Sequence, residues 1–337
     1  MIYKATGATG IVFASILISA GLAGCGSAQA SGNHATPSSS SSNKVIGVSM
    51  YSLTNPYFSA MKKSFITHGQ ADGLKVEVEA SNGDQATQLA QIESFIQQKV
   101  AAVAIVPQDS NSIVTAVNQL NRAHIPVFFV DANANTQLMK KDAAHEVEVV
   151  ESNNYAGGVV VGKELVQHYG KSAHVEIGMV NFPTASSTQA RDAGFLSVIH
   201  QYHGYHVVST LNGNVSPVTG LQVATDMMEA HPHLNAIFSD TGPAALGVAQ
   251  AISSMHKVGT VNLFGFSSAR QNIAEVKTNT VYKAGAMQQP KLEAKVEIAN
   301  IARYLKHQSV PANILIPVLP VTKQNAASRI PLSFGKE

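Results

Sequence analysis

Cysteine occurs once in the 337 residues, at position 25, and tryptophan does not occur at all. The part of the chain that can fold therefore has no disulfide framework available to it. Without tryptophan, any ring that stacks on a bound molecule must be tyrosine or phenylalanine. Charge is sparse as well: 13% of residues are Asp, Glu, Lys or Arg, the formal net charge is +2, and there is no dense Lys/Arg block. A nucleic-acid-binding surface needs such a block, so that class has no electrostatic footprint here. No P-loop is present, which excludes an ATPase subunit.

What is present begins with Lys4 and the apolar run "IVFASILISAGLAGC". The run is too short and too poorly flanked for a stable membrane span, and reads as a signal peptide over residues 1–24. Its end, Leu22-Ala23-Gly24-Cys25, has the small residues before a Cys of a bacterial lipoprotein cleavage box. A cysteine at a new N-terminus can carry a diacylglyceryl group, and acyl chains such as palmitate hold a protein to a bilayer. Cys25 is thus the expected lipidation site, and the cell envelope, outside the cytoplasm, the expected compartment. Residues 25–43, "CGSAQASGNHATPSSSSSN", are small, polar and Ser-rich, and are expected to form a flexible tether.

From Lys44 onward, apolar runs alternate with amphipathic segments. Strands are expected at 45–50, 75–80, 102–106, 126–130, 146–150, 174–180, 206–211, 235–239, 260–265, 281–286 and 313–316. Helices are expected at 56–71, 85–99, 111–123, 154–169, 187–202, 217–230, 242–255, 269–277 and 289–307. In 85–99, Leu89, Ile92, Phe95 and Ile96 fall on one helical face. "AAVAIVP" and "IPVFFVD" are continuously apolar, as strands buried on both faces are. Repeated βα units predict an α/β fold with parallel sheets covered by helices. The strands are too many for one comfortable domain and the pattern restarts after "EVEVVESNNYAGG", so two doubly wound lobes are expected, crossing near residues 151–154. Ligands of such sheets sit beyond the carboxyl ends of the strands, which draws attention to the residues just after each one. In "YSLTNPYFSAM", Asn55 and Pro56 suit a helix start, and Tyr57 and Phe58 fall on its first turn.

The ordered set "NPYF", "VPQDS", "IPVFFVDA", "SNNYAGG", "QARDAGF", "TGPAALG", "FGFSS" and "GAMQQP", behind the cleavage box and tether, resembles the ribose-type solute-binding proteins of sugar ABC importers. Lobes of the same kind form the sensor half of LacI-type repressors. The resemblance spans residues 44–325; single motifs are weak, and their order and spacing are specific. It implies the type I periplasmic-binding-protein fold, with two Rossmann-like lobes joined by a three-strand hinge and a sugar trapped in the cleft. The lobes would be 44–152 plus 289–317 and 153–288 plus 318–330. The ring-stacking pair and its neighbouring Asn fall on Tyr57, Phe58 and Asn55. The first-lobe carboxylate falls on Asp131, the second-lobe Arg on Arg191 and the hinge Gln on Gln288. Ser152, Asn153 and Pro317 fall at the remaining hinge crossings. Four positions depart: Ala132 stands for an Arg, Thr241 for an Asn, Ser267 for an Asp and Val215 for an aromatic. They imply a ligand other than ribose, or one held by a rearranged hydrogen-bond set, with Phe182 or Tyr51 supplying the missing ring face.

The chemistry of these residue types suits a sugar. Hydroxyls bind planar multidentate groups such as carboxylates, guanidinium and amides, and C–H faces bind aromatic rings. Plainer roles compete at each position. Asn55 can simply cap its helix, and one of Tyr57 and Phe58, adjacent on a helix, can be core. Asp131 can hold a turn, Arg191 can be a solvated helix residue and Gln288 a loop residue. His200, His203, His206, His231 and His233 do not converge as zinc ligands must, and are read as surface residues. "GGVVVG" lacks the preceding strand of a dinucleotide fingerprint, and no nucleophile, base and orienter set stands out, so neither cofactor nor enzyme is expected.

The expectation is a lipid-anchored, monomeric solute receptor that hands a sugar-like ligand to an ABC permease with a separate ATPase subunit. A receptor of the same fold presenting a sugar or furanosyl signal to a membrane signalling partner is the alternative. A repressor is argued against by the signal segment and by the lack of a basic helix-turn-helix before residue 45.

Overall fold

The computed structural model describes residues 44–266 and 268–335. The signal segment 1–24, the tether 25–43 with Cys25, and Ser267 lie outside the described residues.

The first half alternates β1 (Lys44–Met50), α1 (Pro56–Ala71), β2 (Leu74–Ala80), α2 (Gln85–Gln97), β3 (Ala102–Ile105), α3 (Ile113–Arg122), β4 (Val127–Val130), α4 (Thr136–Lys141) and β5 (Glu148–Ser152). The second half follows as α5 (Asn154–Tyr169), β6 (Val175–Asn181), α6 (Ser186–Ile199), β7 (Tyr205–Asn212), α7 (Pro217–Ala230), β8 (Leu234–Ser239), α8 (Gly242–Ser254), β9 (Asn262–Phe266), α9 (Arg270–Thr278) and β10 (Tyr282–Met287). Then come α10 (Pro290–Tyr304), β11 (Asn313–Ile316), β12 (Leu319–Thr322), α11 (Ala326–Arg329) and a 3-10 turn Ile330–Leu332.

Two six-stranded sheets result, ordered β11-β5-β4-β3-β1-β2 and β12-β10-β9-β8-β6-β7. All pairings of the first sheet are parallel. In the second, the short β12 runs antiparallel to β10 and the other pairings are parallel. The reason is directional: β11 runs toward the gap between the sheets, and β12 carries straight on into the second sheet, whose other strands end there. A two-residue step leaves no room for the crossover of about a dozen residues that parallel entry requires.

The strands "AVAI" (β3) and "VFFV" (β4) are buried at every position, which is why they read as unbroken apolar runs. β5 extends two residues beyond the expected 146–150 window, to Ser152, because Glu151 and Ser152 still pair with Leu315 and Ile316 of β11. α4, β12 and α11 were not among the expected elements. α4 has only six residues, held at its start by Asn135 Oδ1, which accepts from the N–H groups of Gln137 and Leu138.

Small residues set the spacing of the second lobe. A Cβ on Gly158 of α5 would lie 2.0 Å from the Arg191 carbonyl of α6, and one on Gly194 would lie 2.1 Å from the Tyr155 carbonyl. Only glycines let these two backbones touch, and that contact brings the start of α5 beside Arg191. The chain crosses between the sheets near residues 152–154, 287–290 and 316–319. The crossings are tied together by Asn153 N–H to the Ile316 carbonyl (2.8 Å) and Gln289 Nε2 to the Pro317 carbonyl (2.8 Å).

Candidate functional site

Between the sheets lies a cleft of about 1200 Å³, lined by the C-terminal ends of strands and the first turns of helices from both lobes. Tyr51, Asn55, Tyr57, Phe58, Asp131, Phe182, Arg191, Thr241 and Gln288 all contribute to its walls. Ala132 and Val215, two of the departures from the ribose-type pattern, line it too, as does Ser268, the neighbour of Ser267.

The first wall is built by the start of α1. Asn55 Oδ1 accepts from the Tyr57 N–H at 3.0 Å, so Asn55 caps the helix while its residue faces the cleft. Tyr57 and Phe58 are both buried in the first-lobe core, with rings edge-on at 5.0 Å. Phe58 meets Tyr51 at 5.9 Å, and Tyr51 reaches across the cleft to Phe182 at 6.0 Å, edge to face. These three rings form a continuous aromatic band from one lobe to the other.

Asp131 follows β4 with φ of 69°, in a tight turn closed by Ala132 N–H to the Val130 carbonyl at 2.8 Å. This left-handed conformation is uncommon outside glycine, though Asp tolerates it. Asp131 Oδ1 accepts from Tyr57 Oη at 2.6 Å and from Gln288 Nε2 at 3.3 Å. Nothing among the described residues bonds its second oxygen. Burial raises its pKa and Arg191 pulls it back down.

On the opposite wall, Arg191 is 4% exposed, which removes the solvated-helix reading. Its Nε donates to Asn154 Oδ1 and its Nη1 to the Asp240 carbonyl, both at 2.9 Å, and its guanidinium lies 4.3 Å above the Phe266 ring. Its second terminal nitrogen has no protein partner among the described residues. Asp131 and Arg191 make no direct ion pair, yet each lies in the field of the other. Thr241 Oγ1, on the same wall, is buried without a hydrogen-bond partner.

The back of the cleft is the hinge. Gln288 Nε2 lies 3.2 Å from Tyr57 Oη and 3.5 Å from Ser152 Oγ, and its main-chain N–H donates to Ser268 Oγ at 2.9 Å. Asn153 caps α5 by accepting from the Ala156 N–H, and Pro317 is exposed on the outer crossing.

Several residues at the site were not singled out from sequence. Glu293 of α10 is fully buried, with Oε2 2.8 Å from Tyr57 Oη and Oε1 accepting from Ser152 Oγ. A signal existed: Glu293 and Glu297, one turn apart, share a face with Ala294, Ile298 and Ile301, all buried. Across the cleft mouth, four hydrogen bonds among the described residues join the lobes. Ser110 N–H donates to the Thr184 carbonyl (3.0 Å), Thr184 Oγ1 to the Gln108 carbonyl (3.3 Å), Ser186 N–H to Ser110 Oγ (2.9 Å) and Asn133 N–H to Ser186 Oγ (2.7 Å). At the other end, Ser333, Phe334 and Gly335 line the cleft.

Two α/β lobes, three crossings and an interlobe cleft with polar groups on both walls are the architecture of a bilobal ligand-binding protein. Residues 46–309 match the model of the periplasmic binding protein domain. The ribose import binding protein RbsB of Bacillus subtilis is 30% identical over 286 residues, covering 84% of this chain and 90% of that protein. The D-apiose import binding protein of Paraburkholderia graminis is 23% identical over 284 residues, covering 84% and 88%. In fold, the chain is similar to an ABC transporter solute-binding protein from Agrobacterium vitis bound with α-D-tagatopyranose, with a TM-score of 0.81 at 20% identity, covering 87% of this chain and all of that one (100%). A solute-binding protein from Bacillus halodurans with bound myo-inositol matches with a TM-score of 0.79 at 20% identity, covering 87% and 99%. The chain belongs to the periplasmic binding protein family.

Proposed function

We propose that this chain is an extracytoplasmic receptor that captures a monosaccharide or cyclic polyol in the interlobe cleft and delivers it to an ABC permease, tethered to the membrane through a lipid on Cys25. One observation carries the reading: Asp131 and Arg191, from opposite walls of the cleft, bond their own surroundings through Oδ1 and through Nε and Nη1, while Asp131 Oδ2 and Arg191 Nη2 have no bond among the described residues. An acceptor facing a donor across a gap suits vicinal hydroxyls, which donate to one and accept from the other. The aromatic band of Tyr51, Phe58 and Phe182 supplies apolar faces for C–H groups. Thr241 Oγ1 supplies a further hydrogen-bonding group that a ligand hydroxyl would satisfy. Ala132 and Val215 remove a cation and a ring that the ribose-type pattern carries, so the preferred solute differs from ribose or sits differently. Closure traps it, and the permease reads the closed form. The receptor works as a monomer, with lobes of 44–152 plus 289–317 and 153–288 plus 318–330 moving about Ser152, Asn153, Gln288 and Pro317.

The test is a thermal-shift screen of the purified full chain against D-ribose, D-allose, D-apiose, D-tagatose, D-fucose and myo-inositol. A solute that binds only the folded state stabilises it by about 2.7 kcal/mol at a hundred times Kd. The expected result is a concentration-dependent rise for at least one sugar, abolished in Asp131→Ala and Arg191→Ala. A folded protein with no shift across the panel removes the sugar assignment and moves weight to a signalling ligand of other chemistry.

A further inference from the structure

Tyr57 Oη lies 2.6 Å from Asp131 Oδ1 and 2.8 Å from Glu293 Oε2. A phenol has one proton, so it can donate to only one of the two carboxyls. The remaining oxygen–oxygen contact needs a proton of its own. Gln288 Nε2 donates toward Tyr57 Oη and Asp131 and has no bond to Glu293. Ser152 Oγ donates to the other Glu293 oxygen, Oε1. Two ionised carboxylates on one hydroxyl, in a site this dry, would repel without compensation.

The charges facing Glu293 decide where the extra proton sits. Tyr57 faces it from α1, Asp131 from the turn after β4, and Glu297 from the next turn of α10. Glu148 and Glu151 lie on the neighbouring β5, and Arg191 reaches it from α6 across the cleft. Arg191 is the cation among them and lines the cleft with Asp131, and Gln288 adds a hydrogen bond to Asp131, whereas Glu293 is fully buried behind Tyr57.

Resting on the solute-cleft reading above, we infer that Glu293 is a neutral carboxylic acid that donates its proton to Tyr57 Oη, which turns the Tyr57 hydroxyl onto Asp131 and keeps Asp131 ionised with one oxygen open to a ligand hydroxyl. Glu293 is then a positioning residue that acts through Tyr57. Burial, with the nearby Asp131 charge, lifts its pKa to about 8, consistent with a proton held at neutral pH. Glutamine reproduces the arrangement: its amide N–H donates to Tyr57 and its carbonyl accepts from Ser152.

The experiment is calorimetric titration of the full chain with the panel sugar giving the largest thermal shift, from about pH 6 to pH 9.5, for wild type, E293Q and E293A. Wild-type affinity is expected to be flat to about pH 8 and then to fall, approaching tenfold per pH unit. E293Q should bind within about threefold of wild type at pH 7 and stay flat to the alkaline end, while E293A binds at least about thirtyfold more weakly throughout. E293Q as weak as E293A, or E293Q with the wild-type alkaline fall, overturns the proposal. A ligand-free readout separates this from failure of the sugar reading. Native Glu293 holds a proton that the unfolded chain releases near pH 4.3, so wild-type stability falls relative to E293Q between about pH 4.5 and pH 8. The melting-temperature gap between E293Q and wild type should widen across that window. A constant gap overturns the proton assignment even if no sugar on the panel binds.

Discussion

Phe334 lies edge-on to Tyr57, with ring centroids 5.7 Å apart and planes at 75°. The pair joins the two lobes. The Phe334 carbonyl accepts from the Arg270 N–H at 2.8 Å, and its strand segment bridges to Ala269, both beside the second sheet. Its ring belongs to the first-lobe core with Tyr57, Phe58 and Met61. A segment fastened on one lobe therefore steadies, from the other, the tyrosine that contacts Asp131.

Removing that ring should affect both stability and binding. Phe334→Ala is expected to cost about 3 kcal/mol of unfolding free energy, the usual scale for a buried Phe truncation. Sugar dissociation should accelerate, because the ring also braces the closed form. Denaturant unfolding and stopped-flow release check the two effects; an unchanged release rate would confine Phe334 to a packing role.

The Ser186 bonds at the cleft mouth predict a closure effect without a folding effect. Ser110 Oγ accepts from the Ser186 N–H and donates to the Asn133 carbonyl, while Ser186 Oγ accepts from the Asn133 N–H. The two bonds to Ser186 form only when the lobes meet, whereas the Ser110–Asn133 bond lies within the first lobe. Ser110→Ala and Ser186→Ala should each raise the dissociation rate by about fivefold, the equivalent of about 1 kcal/mol for a neutral hydrogen bond. The double variant should fall short of the product, since the bonds share partners. The melting temperature of sugar-free Ser186→Ala should match wild type, while Ser110→Ala also loses its bond to the Asn133 carbonyl within the first lobe.

Gly158→Ala tests the contact between α5 and α6. Its new methyl would sit 2.0 Å from the Arg191 carbonyl and 2.7 Å from the Phe195 nitrogen, both backbone atoms that cannot rotate aside. The helices must part, at about 3 kcal/mol on the scale of overpacked cores. Because Arg191 rides on α6 and is held by Asn154 of α5, sugar affinity should fall as well. Calorimetry with a folded variant is the check, and wild-type affinity would show that Arg191 is placed by other contacts.

Glu297 gives a pH-dependent stability prediction. It is fully buried, neither carboxyl oxygen has a partner among the described residues, and burial, with the charge of nearby Glu148, raises its pKa well above the usual range. Folded Glu297 keeps a proton that the unfolded chain loses, so its contribution to stability is present at low pH and lost as pH rises above about 4.5. Glu297→Leu should therefore be more stable than wild type by about 1–3 kcal/mol at neutral pH, with the advantage shrinking toward pH 4.5. Urea unfolding at pH 4.5 and 7.5 measures the difference. Equal advantages at both values would rule out the buried proton.

The parts of the fold that read well from sequence are those with one dominant physical signal. β3 and β4 are buried on both faces and so are apolar throughout. α1 carries its cap and its first-position proline in sequence, at Asn55 and Pro56. Less legible were α4, which is a single short capped turn, and the polar end of β5, where Ser152 is buried only because β11 and α10 cover it. Tyr57, Asp131 and Gln288, placed after strand ends, and Arg191, placed by resemblance, all line one cleft, since strand ends and helix starts of both lobes converge there. Asn55 turned out to serve as a cap, and Arg191 as a buried, hydrogen-bonded cation. Glu293, Phe334 and the Ser110–Ser186 contact were not picked out, because their roles depend on partners far away in the chain.

By itself, the sequence determined the alternation of strands and helices, the existence of two lobes and the segments that border the cleft, because hydrophobic periodicity and helix capping are local properties. Only the tertiary structure decided which groups share protons and which remain open. Tyr57 is one hydroxyl between two carboxyls, and Arg191 is half bonded, through contacts spanning tens to hundreds of residues. Burial and hydrogen bonding set those charge states, and both are properties of the assembled fold rather than of any segment within it.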